Sequence, residues 1–117
     1  MDESLSFRAR LRKKEDISAV YSRGLRCRGR YFHIVYLPGP LEHSRAAFVA
    51  ARKVGGAVVR NKAKRRMRSL FRRNKNLLPA ATDMVFVAKT SMASASWREI
   101  HADFLAMAGF MRKRARG

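Results

Sequence analysis

Apolar residues recur along the chain with two spacings, one helical and one extended, and their alternation predicts six elements. In residues 13–22 (KKEDISAVYS), Ile17, Val20 and Tyr21 stand at i, i+3 and i+4, and Gly24 follows where a helix can end. Residues 30–37 (RYFHIVYL) are β-branched and aromatic, and the PGP of residues 38–40 stops them, which predicts a strand and a loop. Residues 44–52 (SRAAFVAAR) come back after a six-residue gap and read as its antiparallel partner in a hairpin. Gly55 and Gly56 break that strand, and a long helix is predicted over 57–74 with Val59, Ala63, Met67 and Leu70 as its buried stripe and Phe71 adjoining. Residues 83–89 (DMVFVAK) are almost wholly apolar over a strand's length, the pattern of a central strand buried on both faces. Ser96 and Glu99 form an S-x-x-E capping box opening a last helix over 96–113, with Trp97, Ile100, Phe104, Ala108 and Met111 on one face. Residues 114–117 (RARG) read as a loose tail. The order α-β-β-α-β-α, with helices on a mostly antiparallel sheet, is that of a single-domain α+β sandwich spanning residues 1–117.

Composition leaves this picture of folding intact but changes the picture of the surface. At 117 residues the chain suits one modest core, and 47% hydrophobic residues are ordinary. Against 27 Lys and Arg stand only 8 Asp and Glu, a net charge of +19. Charge of that size attracts polyanions over long range, so nucleic acid is the expected partner. No apolar run approaches the roughly 18 residues of a membrane-spanning helix, and residues 1–14 lack the apolar stretch of a secretory signal, so no membrane partner is expected and a cytoplasmic location is. One cysteine, Cys27, allows neither an internal disulfide nor a cysteine metal cluster, and no cofactor or metal is expected in the protein itself.

The charge is concentrated. Residues 51–72 (ARKVGGAVVRNKAKRRMRSLFR) hold nine Lys or Arg and no acid, and no acid occurs anywhere between Glu42 and Asp83. At about 100° per residue, Arg60, Asn61, Lys64, Arg65, Arg68 and Arg72 share one arc of roughly 140° beside the apolar stripe, while Lys62, Arg66 and Arg73 project on the other flank. A solvated helix face normally alternates sign, whereas like charges at i, i+4 each cost a few tenths of a kcal/mol. An external polyanion relieves that repulsion, and planar guanidinium groups suit phosphate.

The same stretch resembles the signature of the protein component of bacterial ribonuclease P. The R-N-R-x-K-R-x-x-R pattern stands here as Arg60-Asn61-Lys62-Ala63-Lys64-Arg65-Arg66-Met67-Arg68, with Lys62 where Arg is commoner. Residues 6–24 (SFRARLRKKEDISAVYSRG) resemble the family's N-terminal segment, and the element order matches its fold over nearly the whole chain. The resemblance implies a ribosomal-protein-S5-domain-2-like fold with a left-handed βαβ crossover at the basic helix. It further implies a subunit that breaks no bond itself: the catalytic RNA of ribonuclease P, with Mg²⁺ at that RNA, hydrolyses one phosphodiester to remove the 5′ leader of precursor tRNA. Both RNAs are implied partners, and no obligate protein partner is. Arg52, Lys53, Arg60, Asn61, Lys62, Lys64, Arg65 and Arg68 would then contact the RNA subunit. Phe7, Ile17, Tyr21, Tyr31, His33 and Val35 would line a cleft for the single-stranded leader, with Tyr21 able to stack on a base and Ile17 offering only apolar contact. Phe7 and Tyr21 suit the core equally, Phe32 and Tyr36 on the opposite strand face belong there, and His33 reads more readily as a polar sheet residue than as a catalyst or ligand.

Two other classes meet this sequence less well. A self-sufficient nuclease needs a base and usually carboxylate-held metal, and the scattered acids form no triad or paired-carboxylate pattern, although Glu15, Asp83 and His33 could converge only in space. A purely structural RNA- or DNA-binding protein, ribosomal or nucleoid in type, explains the basic helix but not a leader cleft.

Overall fold

In a computed structural model, backbone is described for residues 7–116 and side chains for 8–114. The apolar run near residue 85 forms strand β4 (Thr82–Ala88) at the centre of a four-stranded sheet of order β1-β2-β4-β3. Beside it, β2 (Phe32–Pro38) pairs antiparallel, from Phe32 opposite Ala88 to Pro38 opposite Thr82. On its other side β3 (Arg45–Val49) pairs parallel, with Arg45 opposite Asp83 and Val49 opposite Val87. The edge strand β1 (Leu25–Arg28) pairs antiparallel with β2, Arg28 lying opposite His33.

The expected hairpin of residues 30–37 with 44–52 therefore does not form. Strand β4 stands between β2 and β3, because the most continuously apolar strand gains most from two neighbours and two covered faces. The parallel β3–β4 pairing needs a crossover of a dozen residues or more, which helix α2 (Ala57–Arg73) supplies. The hairpin lies one element earlier, between β1 and β2, and its turn is tied to the last helix: the Arg30 and Tyr31 amides each donate to the Asp103 carboxylate at 2.9 Å. Residues 25–28, to which the sequence pattern assigns no element, alternate Leu, Arg, Cys, Arg, and only Cys27 is buried.

Helix α1 (Lys14–Arg23) covers one sheet face, packing Val20 and half-buried Ile17 with Leu11 over Val35 and Val85. It ends at Gly24, whose N–H bonds the Val20 carbonyl at 2.8 Å. A Cβ there would lie 2.4 Å from that oxygen and 2.8 Å from the Tyr36 oxygen, so close approach rather than φ demands glycine. The opposite face carries Phe32, Ile34, Met84 and Phe86 against Met67, Leu70 and Phe71 of α2 and Ile100, Phe104, Met107 and Met111 of α3 (Trp97–Arg116). Val59 is only half-buried, and Phe86 meets Phe32, Phe48 and Phe71 with ring centroids 5.2–6.1 Å apart. The capping box forms as expected: Ser96 N donates to Glu99 Oε1 at 2.9 Å and Glu99 N to Ser96 Oγ at 3.1 Å. Trp97 departs from expectation. It is 37% exposed and stacks on His101, since the buried face of α3 begins one turn later at Ile100. The helix also continues through residues 114–116, where a loose tail was expected; Gly117 lies outside the described residues. Among the described residues no helix is long and apolar enough to cross a membrane.

One buried ion pair joins three elements. Arg45 on β3 donates through Nη2 and Nε to the two carboxylate oxygens of Asp83 on β4 at 2.7 and 3.0 Å, and Nη1 reaches Asp16 on α1 at 3.4 Å. Removing one partner of a buried pair strands the other charge. Asp83→Ala should lower stability by about 3 kcal/mol or more in a urea melt, and Asp16→Ala, at the more exposed contact, by less than about 1 kcal/mol.

Candidate nucleic-acid interface

The basic helix is anchored by its apolar stripe, with Ala63, Met67, Leu70 and Phe71 all buried. That burial fixes which way the cations point. Asn61, Lys62 and Arg65 are exposed, while Arg60, Lys64 and Arg68 are half-buried with their stems along the protein. The Arg60 Nε is buried with no hydrogen-bond partner among the described residues, and the Arg68 guanidinium sits 5.8 Å from the centre of the Phe48 ring. On the other flank Arg66 donates to the Ala95 carbonyl at 2.9 Å, which fastens α2 to the turn before α3. A 3₁₀ turn, Arg52–Val54, leads into the helix and leaves Arg52 and Lys53 exposed while Val54 is buried.

Beside α2 the N-terminal segment closes a basic groove. Leu11 N donates to the Ala46 carbonyl at 3.0 Å and Arg10 bridges to Ala46, so the segment runs along the free edge of β3. Arg10 and Arg12 flank buried Leu11 and line, with Phe48, Lys64 and Arg68, a groove of about 450 Å³ that has no acidic lining residue among the described residues. The sequence signal for these arginines was the alternation of residues 8–12, RARLR, in which Ala9 and Leu11 are buried and the arginines exposed.

A second basic site lies on the α1 face of the sheet. Arg26, Arg28, Gly29, His33 and Lys89 surround a cavity of about 150 Å³. Burial, reinforced by Arg26, Arg28, Lys89 and Lys53, holds the His33 imidazole below its ordinary 6.5. Tyr21 on α1, 37% exposed, is also within the field of Arg26; burial raises its phenol and Arg26 opposes the rise. Arg26, Arg28 and Lys89 were not among the expected site residues. Alternation in LRCR carried the signal for the first two, once residues 25–28 are read as a strand.

Known proteins resemble this chain over most of its length. A family model described as Ribonuclease P matches residues 5–111. The chain belongs to the ribonuclease P protein family. A ribonuclease P protein component from Acidothermus cellulolyticus is 42% identical over 107 residues, covering 86% of this chain and 85% of that one. Another, from Thermotoga maritima, is 36% identical over 93 residues, covering 80% of each. Among solved structures, the Thermotoga maritima RNase P protein in complex with 1-(4-fluorophenyl)-2-thiourea superposes with TM-score 0.77 at 29% identity, covering 85% of this chain and 96% of that one. The Staphylococcus aureus RNase P protein gives 0.77 at 25% identity, covering 92% and 94%.

Within this ribonuclease P protein fold, the expected RNA-subunit residues lie on the 3₁₀ turn and on α2, with Lys62 on the flank away from Arg60, Asn61, Lys64, Arg65 and Arg68 and Lys53 within the field of His33, and the expected cleft residues separate. Tyr21 and His33 share Arg26 as a neighbour, and Ile17 lies half-buried beneath α1. Val35 is fully buried there, so it supports the cleft without lining it. Tyr31 leaves the cleft altogether: the bend before β2 breaks the alternation, and its hydroxyl donates to Glu99 on α3 at 3.0 Å. The side chain of Phe7 lies outside the described residues. The acids hold the fold together. Asp83 and Asp16 bind Arg45, Asp103 binds two amides, and Glu99 caps α3. The β2–β4 register places Asp83 opposite Leu37 and His33 opposite Val87, four positions apart, so Asp83 and His33 do not converge.

The His33 shift has a definite sign. Its folded value lies below the unfolded one, so the unfolded chain protonates first and stability falls as pH drops through about 6.5, levelling off below the folded value. An anion in the cavity opposes the shift. In an NMR pH titration the His33 midpoint should rise when a phosphate-bearing RNA is bound, and that binding should tighten below about pH 6.5. An unchanged midpoint would place the phosphate elsewhere.

Proposed function

We propose that this chain acts as the protein subunit of ribonuclease P, binding the catalytic RNA along α2 and holding the 5′ leader of precursor tRNA between α1 and the sheet. The observation that carries the reading is the surface of α2, whose cations converge without an acid in residues 43–82 to neutralise them. Arg60, Asn61, Lys62, Lys64, Arg65 and Arg68, with Arg52 and Lys53 before them, contact RNA phosphates and sugars, and Arg10 and Arg12 extend the track. In the cleft Tyr21 stacks on a leader base, Ile17 gives apolar support, and His33 with Arg26, Arg28 and Lys89 receives the backbone.

Bond breaking would belong to the RNA subunit, whose phosphates would hold Mg²⁺, and the bound metal would supply a Lewis acid for activating water and for stabilising the leaving oxygen. This chain's residues position the substrate and offset phosphate repulsion, in the cytoplasm, with no metal of their own.

The test is precursor-tRNA cleavage by a bacterial ribonuclease P RNA at low Mg²⁺, with and without the protein, on substrates with and without a leader. Cleavage should depend on the protein, and its substrate affinity on the leader. Tyr21→Ala should cost about 1–3 kcal/mol of leader-dependent binding and leave leaderless tRNA unaffected. Arg65→Ala should weaken binding to the RNA subunit and lower the salt slope, d log K/d log[salt], by about one. Salt-sensitive RNA binding without stimulated cleavage would reduce the protein to a basic structural RNA binder.

A further inference from the structure

A third cavity, of about 480 Å³, opens at the end of β2 remote from His33, where the C-terminal ends of α1 and α3 approach the chain entering β4. Its walls are largely apolar, formed by Leu25, Leu37, Pro38 and Pro79. Leu25 is 46% exposed. Tyr36 also lines the cavity. Its ring belongs to the core and it is only 7% exposed, yet its hydroxyl is buried with no hydrogen-bond partner among the described residues. A buried donor left unpaired is costly, and a ligand acceptor would relieve that cost. Burial, more than any neighbouring charge, raises the phenol, so it remains a donor at neutral pH. Two cations from different helices complete the site: Arg23, the last residue of α1, and Arg114 near the end of α3. No acid lines it.

A ligand matching all three features needs a flat apolar body, an acceptor and an anionic group. Inorganic phosphate leaves the apolar walls unused, and an apolar side chain leaves the phenol and both guanidinium groups unused. A nucleotide has all three. We propose that this cavity receives one unpaired nucleotide of an RNA strand, its base against the apolar wall and the Tyr36 hydroxyl, its phosphate held by Arg23 and Arg114. The site rests on the RNA-binding reading above and extends it to a surface that shares no lining residue with α2 or with the His33 cavity.

Two-dimensional amide NMR of the full chain tests the site with two probes, adenosine 5′-monophosphate and inorganic phosphate. The nucleotide should shift Leu25, Leu37 and Thr82, whereas phosphate should shift only the arginine-rich surfaces such as 60–68. Tyr36→Phe, which removes only the hydroxyl, should raise the nucleotide Kd about fivefold or more while shifts on α2 persist. Arg23→Gln with Arg114→Gln, both at exposed positions, should weaken it at least as much without involving the core. Nucleotide shifts confined to α2, or both variants binding as the parent does, would overturn the site. Neither result touches the ribonuclease P reading, which fails separately if precursor cleavage is not stimulated.

Discussion

The fold depends on one constraint: β4 is apolar on both faces and has to be covered on both. Val85 and Val87 require α1 on one side, and Met84, Phe86 and Ala88 require α2 and α3 on the other. Once β4 is central, the parallel β3 must return through α2, and the basic helix is thereby clamped to the rigid part of the molecule. The ring cluster about Phe86 extends to Phe48, on which Arg68 rests, so the cationic surface is tied directly to the core. A cationic surface held this way would lose little conformational entropy on binding a polyanion.

The charges divide by role. Of the acids described, Asp83, Asp16, Asp103 and Glu99 bond to Arg45, to the β1–β2 turn and to the start of α3, places where the chain needs an internal partner. Cations gather instead on the surface, Arg10, Arg12, Lys64 and Arg68 in the groove beside α2 and Arg26, Arg28 and Lys89 at the cavity of His33. A chain of net charge +19 repels itself, and a bound polyanion both relieves that strain and stabilises the folded state by mass action.

Much of this was legible in the residues, for identifiable reasons. The basic helix, the central strand and the capping box each rest on a local period or spacing, and each formed within a residue or two of its expected bounds. Pairing was not legible, because the choice of neighbour for residues 45–49 depends on which strand can be covered twice, a property of the assembled sheet. The short strand LRCR was hidden by two arginines at its exposed positions, and with it went Arg26 and Arg28. Tyr31 was misassigned because alternation was extended across a bend that turns its hydroxyl to Glu99. The Tyr36 cavity had no local signature, since its walls come from both ends of the chain.

Under the proposed function, the same charge accounts for the division of labour with RNA. A surface this positive raises the local potential and disfavours a divalent cation, so carboxylate-held Mg²⁺ would have to be built against the field of 27 basic residues. RNA phosphates attract Mg²⁺ without that cost. What the protein adds is charge that need not be a metal: each phosphate it neutralises is one fewer to be screened by free Mg²⁺, and the counterions so released favour assembly. The protein should therefore matter most when Mg²⁺ is scarce and matter less as Mg²⁺ rises, and a subunit built from cations fixed on a covered sheet suits that task better than one built around a catalytic group.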